Sequence, residues 1–332
     1  MAVETLRRIV TANNRHEVVW VAENGKHAIE CCVQQIPDLI LMDLVMPVMN
    51  GVESTRRIMK LSPCPILLVT ASVAGNSGLV FEAMGAGALD VVVTPVLGAE
   101  KSSSVEELLE KIDRIGKIIG IGVQPSSHGL IQQKEVREPK ENGPFLIVIG
   151  SSTGGPQALL KVLETIPSHH SAAIVVVQHM DEQFTGGLAN WLDSQLDLSV
   201  RVMKEGDRPE AGVVLVPSTN NHVIMYPNKT FGYTVDPEDI FYHPSVDVFF
   251  NSVARYWLGR CIGVILTGMG NDGAEGMFAL HQQGYLTIAQ DRESSVVFGM
   301  PKAAIELGAA QTILPVESIG PAIKNILAPE RG

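Results

Sequence analysis

A hydroxyl, an imidazole and a carboxylate each follow an apolar run in the second half of this chain. Ser152 comes after Phe145-Leu-Ile-Val-Ile149, His179 after Ala172-Ala-Ile-Val-Val-Val-Gln178, and Asp272 after Cys261-Ile-Gly-Val-Ile-Leu266. A nucleophile, a base and a carboxylate that orients the base are what acyl transfer by a serine requires. Ser152 lies inside Gly150-Ser-Ser-Thr-Gly-Gly155, and the residues from Pro156 onward read as a helix. The spacing therefore predicts a tight strand-to-helix turn, where glycines let the backbone bend and unpaired N–H groups favour developing negative charge. The string fits the loose G-x-S-x-G pattern. Alone, it also fits a phosphate cradle or a turn that merely packs. No Lys follows the glycines as in a Walker loop, and the spacing departs from a dinucleotide fingerprint. His179 also reads as a structural histidine at a strand end, and Asp272 as a helix N-cap only.

The elements that must position these groups alternate. In the second half, strands are expected at 172–178, 201–205, 213–216, 221–225, 261–266 and 286–290. Helices are expected over 184–196, 246–256, 274–283 and 301–307, and hairpin strands around 230–235. In an open parallel sheet, side chains just past the strand C-termini converge on one crevice, which brings Ser152, His179 and Asp272 toward each other. The first half shows the same alternation. Helices are expected at 2–12, 25–35, 53–60, 78–84 and 105–119, and strands at 17–22, 38–43, 65–70 and 89–94. Two α/β domains, 1–118 and 144–330, are thus expected, each a parallel sheet covered on both faces. Residues 119–143 lack periodicity, are rich in polar residues and read as a linker.

The chain has 332 residues and a net charge of −11. That charge disfavours a nucleic-acid partner, which needs clustered Lys and Arg. Cys31, Cys32, Cys64 and Cys261 form no C-x-x-C pair, so neither a zinc site nor a disulfide framework is expected, and a reduced cytoplasmic protein is. No apolar run approaches the length of a membrane span. His222 reads as a crevice residue or a plain loop histidine. Arg255, Arg260 and Arg292 read as surface charges, or as groups that steer an acidic partner helix.

Residues 1–118 resemble a response-regulator receiver through Asp38-Leu-Ile-Leu-Met-Asp43, Met46-Pro47, Gly51, Thr70-Ala71, Gly85-Ala-Gly-Ala-Leu-Asp90 and Pro95. The resemblance implies a flavodoxin-like sheet, Asp43 as phosphoryl acceptor, Thr70 as switch hydroxyl and a sensor histidine kinase as phosphodonor. Two departures follow. The first strand and its Mg2+-binding acidic pair are missing, and Thr94 stands where a Lys is expected. With Asp43 alone, Mg2+ binding for phosphorylation is in doubt. Either the true start lies upstream of Met1, as the entry of residues 5–15 mid-helix without a cap suggests, or the receiver is degenerate.

Residues 144–330 are similar to the catalytic domain of chemotaxis protein-glutamate methylesterases, a Rossmann-like fold. The matching strings are Gly150-Ser-Ser-Thr-Gly-Gly155, Gln178-His-Met180, Pro244-Ser-Val-Asp247, Leu266-Thr-Gly-Met-Gly-Asn-Asp-Gly273 and Gln290-Asp-Arg-Glu-Ser-Ser-Val-Val-Phe-Gly-Met-Pro301. The resemblance implies that Ser152 is the nucleophile, His179 the base and Asp272 its partner. Backbone N–H groups near Thr153 or Met269 are expected to hold the oxyanion. The implied substrate is a glutamyl γ-methyl ester, or a glutamine, on a methyl-accepting chemoreceptor, and the ester step needs no metal or organic cofactor. Stretches such as His16-Glu-Val-Val-Trp-Val-Ala22 look like the Wsp-type surface-signalling branch. Two rival readings are a non-catalytic signalling adaptor and a small-molecule serine esterase.

Overall fold

The computed structural model describes residues 2–12, 15–71, 76–95, 103–120, 145–168, 171–238, 240 and 242–328. The chain divides into two compact units, Met1–Gly129 and Leu130–Gly332. The helix expected at 105–119 ends at Gly120, and the rest of the expected linker lies outside the described residues.

In the first unit the order is α1 (Ala2–Ala12), α2 (Gly25–Gln34), β1 (Ile40–Asp43), α3 (Gly51–Leu61), β2 (Ile66–Thr70), α4 (Ser77–Gly85), β3 (Asp90–Val93) and α5 (Ser103–Gly120). Asn24 and Asn50 start α2 and α3 by accepting the N–H groups of His27 and Glu53. The three strands pair in parallel in the order β1-β2-β3. Side chains alternate across a strand. Leu67 and Val69 of β2 accordingly join Val92, Leu6, Val10, Leu108 and Ile112 in one core. Ile66 and Leu68 are also fully buried.

One expectation fails here. Residues 17–22 alternate like a strand but join no ladder. A strand is held by a neighbour's N–H and C=O groups, and among the described residues no strand pairs with this segment. A cavity of about 420 Å³, lined in part by Val18, Val21, Leu39, Leu41 and Val10, lies along it. Side chains tether the segment instead. Trp20 Nε1–H donates to the Gln35 carbonyl at 3.0 Å, and Arg15 and His16 each lie 2.9 Å from Asp113.

The second unit contains β4 (Phe145–Ser151), α6 (Gly155–Leu163), β5 (Ala172–Gln178), α7 (Glu182–Gln195), β6 (Ser199–Val202), β7 (Val213–Val216), β8 (His222–Met225), β9 (Phe231–Thr234), α8 (Val246–Tyr256), β10 (Arg260–Ile265), α9 (Ala274–Gln282), β11 (Leu286–Gln290), α10 (Met300–Glu306), β12 (Thr312–Leu314) and α11 (Val316–Leu327). Seven strands form a parallel sheet in the order β12-β11-β10-β4-β5-β7-β6, and β8 and β9 form a separate antiparallel hairpin. β4 and β5 are buried along their whole length, as their unbroken apolar runs require of strands covered on both faces. One core joins Leu146, Val148 and Val175 of these strands to Phe249 and Phe250 of α8 and Met277 of α9. From β4 the chain winds outward to β5, then returns to the other side of β4 as β10. The order therefore reverses beside β4, and ligand crevices form at such switch points, outside the strand C-termini.

Candidate active site

The turn after β4 is built for close approach. Gly154 has φ +77°, and a Cβ there would meet Val296 at 2.8 Å. Gly155 leaves room for the Gln178 side chain. That amide locks the turn: Ser151 Oγ–H donates to Gln178 Oε1 at 2.7 Å, and Gln178 Nε2–H donates to the Ser152 carbonyl at 2.8 Å. The Ser152 N–H is bound to the Thr267 carbonyl at 3.1 Å, which ties the turn to the loop after β10. Ser152 itself is half-buried.

Ladder register brings the second group alongside. Ser151 pairs with Gln178, so Ser152 and His179 follow at the next position of neighbouring strands, which run about 4.8 Å apart. The His179 N–H donates to the Ser151 carbonyl at 2.9 Å. His179 Nε2 lies 2.7 Å from Asp272 Oδ2, with side-chain exposures of 9% and 4%. Nδ1 of His179 is buried without a hydrogen-bond partner. An Nε2–H facing the carboxylate leaves Nδ1 with its lone pair, the form a proton acceptor needs. The Tyr242 ring stacks on this imidazole with centroids 4.5 Å apart and planes 7° from parallel.

Asp272 is surrounded by donors from the start of α8. Ser245 Oγ–H donates to Oδ1 at 2.7 Å, Val246 N–H to Oδ2 at 2.6 Å and Asp247 N–H to Oδ1 at 3.1 Å. Burial alone would push its pKa up. The bonds from His179, Ser245 and Val246 outweigh burial and hold the carboxyl below its ordinary value. The N-cap alternative for Asp272 fails: Gly273 holds that position of α9 without a side-chain bond, and the Asp272 carboxylate is committed to His179 and α8. Asp247 goes the other way. Burial and the neighbouring Asp272 charge push it up to about 7, against the N–H groups of Gly276 and Gly273.

Backbone donors stand nearby. The amides of Ser152 and Gly268 are taken by the carbonyls of Thr267 and Val297, whereas those of Thr153 and Met269 donate no bond among the described residues. The peptide that carries the Thr153 N–H is held by the Gln178 bond to the Ser152 carbonyl, and Thr267 Oγ1 donates to the Thr153 carbonyl at 3.0 Å, which holds the next peptide. A Cβ on Gly268 would lie 2.8 Å from Ser152 Cβ, so the two loops touch at the hydroxyl-bearing residue.

The model of the CheB methylesterase family matches residues 147–323, and that of the response regulator receiver domain matches residues 1–112. A Pseudomonas fluorescens (strain Pf0-1) protein named protein-glutamate methylesterase/protein-glutamine glutaminase 1 is 50% identical over 327 residues, 98% of this chain and 96% of that one. A Pseudomonas putida protein of the same activity name, from the group 3 operon, is 50% identical over 99% of this chain and 97% of its own length. The crystal structure of the Thermotoga maritima CheB methylesterase catalytic domain aligns with a TM-score of 0.52 at 38% identity, covering 56% of this chain and 99% of that one.

The chain belongs to the CheB methylesterase family.

In this chain the receiver-domain match precedes the methylesterase-domain match. In the methylesterase unit, sequence reasoning missed Ser245 and Tyr242. Ser245 stands in the string Pro244-Ser-Val-Asp247 with no role attached to it, and only the fold brings the two residues to Asp272 and His179. His222 is not in a loop: it lies on β8 and is fully buried. Arg260 lies over the Phe145 ring at 3.8 Å, Arg255 over Tyr256 at 5.1 Å and Arg292 over Phe298 at 5.8 Å. In the receiver, Asp43 ends β1 and its Oδ1 accepts the Val45 N–H at 3.2 Å, while Asn76 Nδ2–H donates to Thr70 Oγ1 at 3.3 Å. Among the described residues no three His, Cys, Asp or Glu side chains gather to hold a metal. Among the same residues, no helix is long and apolar enough to cross a membrane.

Proposed function

We propose that this protein hydrolyses glutamyl γ-methyl esters on a methyl-accepting chemoreceptor, with Ser152 as nucleophile, His179 as base and Asp272 as the carboxylate that orients it. The observation that carries this reading is the His179–Asp272 bond of 2.7 Å, with Nδ1 buried and unpartnered one ladder position beyond the Ser152 turn. His179 Nδ1 takes the Ser152 proton as Oγ attacks the ester carbonyl. The N–H groups of Thr153 and Met269 receive the oxyanion, each such donor being worth about 3 kcal/mol in the transition state. The proton returns to the departing methoxide, methanol leaves, and water hydrolyses the acyl-enzyme by the same route. A receptor glutamine is deamidated likewise, with ammonia in place of methanol, in keeping with the glutaminase in the relatives' names.

The receiver reading is that Asp43 accepts a phosphoryl group from a sensor kinase and Thr70 is the switch hydroxyl, with domains at 1–118 and 144–330. The stretch at 16–22 supports placement in the Wsp-type branch. Methanol release from methylated receptor membranes is the test of the catalytic reading. Ser152→Ala is expected to abolish it while the circular dichroism spectrum is kept. Wild-type release by that variant would reject Ser152 as the nucleophile, and no release by the wild type would favour an adaptor whose site does no chemistry. Turnover of short acyl esters with none on receptors would favour a general esterase.

A further inference from the structure

His222 stands one step behind the residues proposed to do the chemistry, and both its ring nitrogens are engaged. Nε2 lies 3.1 Å from the Pro237 carbonyl oxygen, and the Ser245 N–H donates to Nδ1 at 3.2 Å. A carbonyl can only accept, so Nε2 carries the hydrogen and Nδ1 the lone pair, which makes the ring neutral and fixes its tautomer. Burial pushes its pKa below the ordinary histidine value. His243, stacked on it at 4.6 Å, acts in the same direction, against the Pro237 carbonyl and Asp272. Ser245, the residue so held, caps α8 and donates its hydroxyl to Asp272, and the next two amides donate to the same carboxylate. Thus one neutral ring ties Pro237 to Ser245, on either side of the tyrosine that stacks on His179.

We infer that His222 is a positioning residue of this site: its Nδ1 lone pair fixes the Ser245 amide, and through it the three donors that aim Asp272 at His179. The inference rests on the Ser152–His179–Asp272 reading above and adds to it a residue that acts only through Ser245 and Asp272. Misplacing a catalytic group by 1 Å costs on the order of 100-fold in rate. A protonated or absent Nδ1 also leaves the Ser245 N–H buried without an acceptor.

Two polar replacements in the full chain separate this role from simple packing. In H222N the amide oxygen takes the place of Nδ1 and still accepts from Ser245. In H222Q the polar end takes the place of Nε2, so Pro237 keeps a donor and Ser245 loses its acceptor. The readouts are the rate at which a fluorophosphonate labels Ser152, and kcat and KM for methanol release from receptor membranes. H222Q is expected to label about tenfold or more slowly, with kcat lowered to match and KM unchanged, and H222N to recover to within about threefold of wild type. Labelling of H222Q at the wild-type rate, or of H222N as slowly as H222Q, overturns the inference. A measurement that needs no variant is the 15N imidazole spectrum of His222, in which an unprotonated Nδ1 is expected wherever the enzyme is active. A protonated Nδ1 there overturns the inference too. A wild type that the probe does not label at Ser152 removes the underlying reading and this one together, whereas a labelled wild type leaves the variants to decide on His222 alone.

Discussion

Asp272 accepts from four groups at once: the His179 ring, the Ser245 hydroxyl and the amides of Val246 and Asp247. An uncharged amide cannot replace it. Asn has one accepting oxygen and brings two hydrogens toward donors. Asp272→Asn is therefore expected to turn or displace the His179 ring, and to lower kcat for methanol release by about 10³- to 10⁴-fold with little change in KM. A kcat within tenfold of wild type would show that the carboxylate does not set the imidazole. At this scale much of the site was legible beforehand. Glycines around a serine after an apolar run, and a histidine and an aspartate after two others, are local patterns. Ser245 stands in a matching string without a role, His222 reads equally as a crevice or a loop residue, and Tyr242 carries no mark, because what all three do depends on partners 15 or more residues away, contacts that only tertiary packing makes.

The start of α8 faces the loop that leads into α9, and two carboxylates meet there. Asp247 accepts the Gly276 N–H at 2.6 Å and sits beside Asp272. Its pKa in the fold, about 7, is above the ordinary carboxylate value near 4. The folded chain therefore holds a proton that the unfolded chain has lost between those two pH values, so stability falls as pH rises through that window. Asp247→Asn keeps an acceptor for Gly276 and removes the titration. Urea unfolding of the catalytic unit is expected to lose stability from pH 4 to pH 7 in the wild type, by up to about 4 kcal/mol, and to lose less in the variant. Matching slopes would show that Asp247 stays charged throughout. Elements were legible where one signal dominates. The buried runs of β4, β5 and β10 read correctly within a residue or two. Residues 17–22 did not, because alternation reports which face a chain buries and says nothing about whether a neighbour offers hydrogen bonds. β12 is short and mostly exposed, and Gly320-Pro321 breaks the pattern that would mark α11.

Across the whole chain, the two units differ in how completely their elements serve their expected chemistry. The methylesterase unit has an intact seven-stranded sheet. Among the described residues the receiver has three paired strands, an extended segment that joins no ladder beside a cavity that Asp43 itself lines, and no gathered metal ligands. Acetyl phosphate is therefore expected to phosphorylate Asp43 poorly or not at all, as read by intact-protein mass or phosphate-affinity gels. Efficient modification that is lost in Asp43→Asn would overturn this. Thr94, in place of the expected lysine, works in the same direction.

Ser151 and Gln178 face each other across two paired strands, so the gap between the next two residues is a repeat distance of the peptide ladder. Side-chain identity in the surrounding core can drift without altering that interval, provided the strands stay paired. Anyone wishing to transplant this chemistry would copy the pairing and the bend after it, and would gain little by copying a loop.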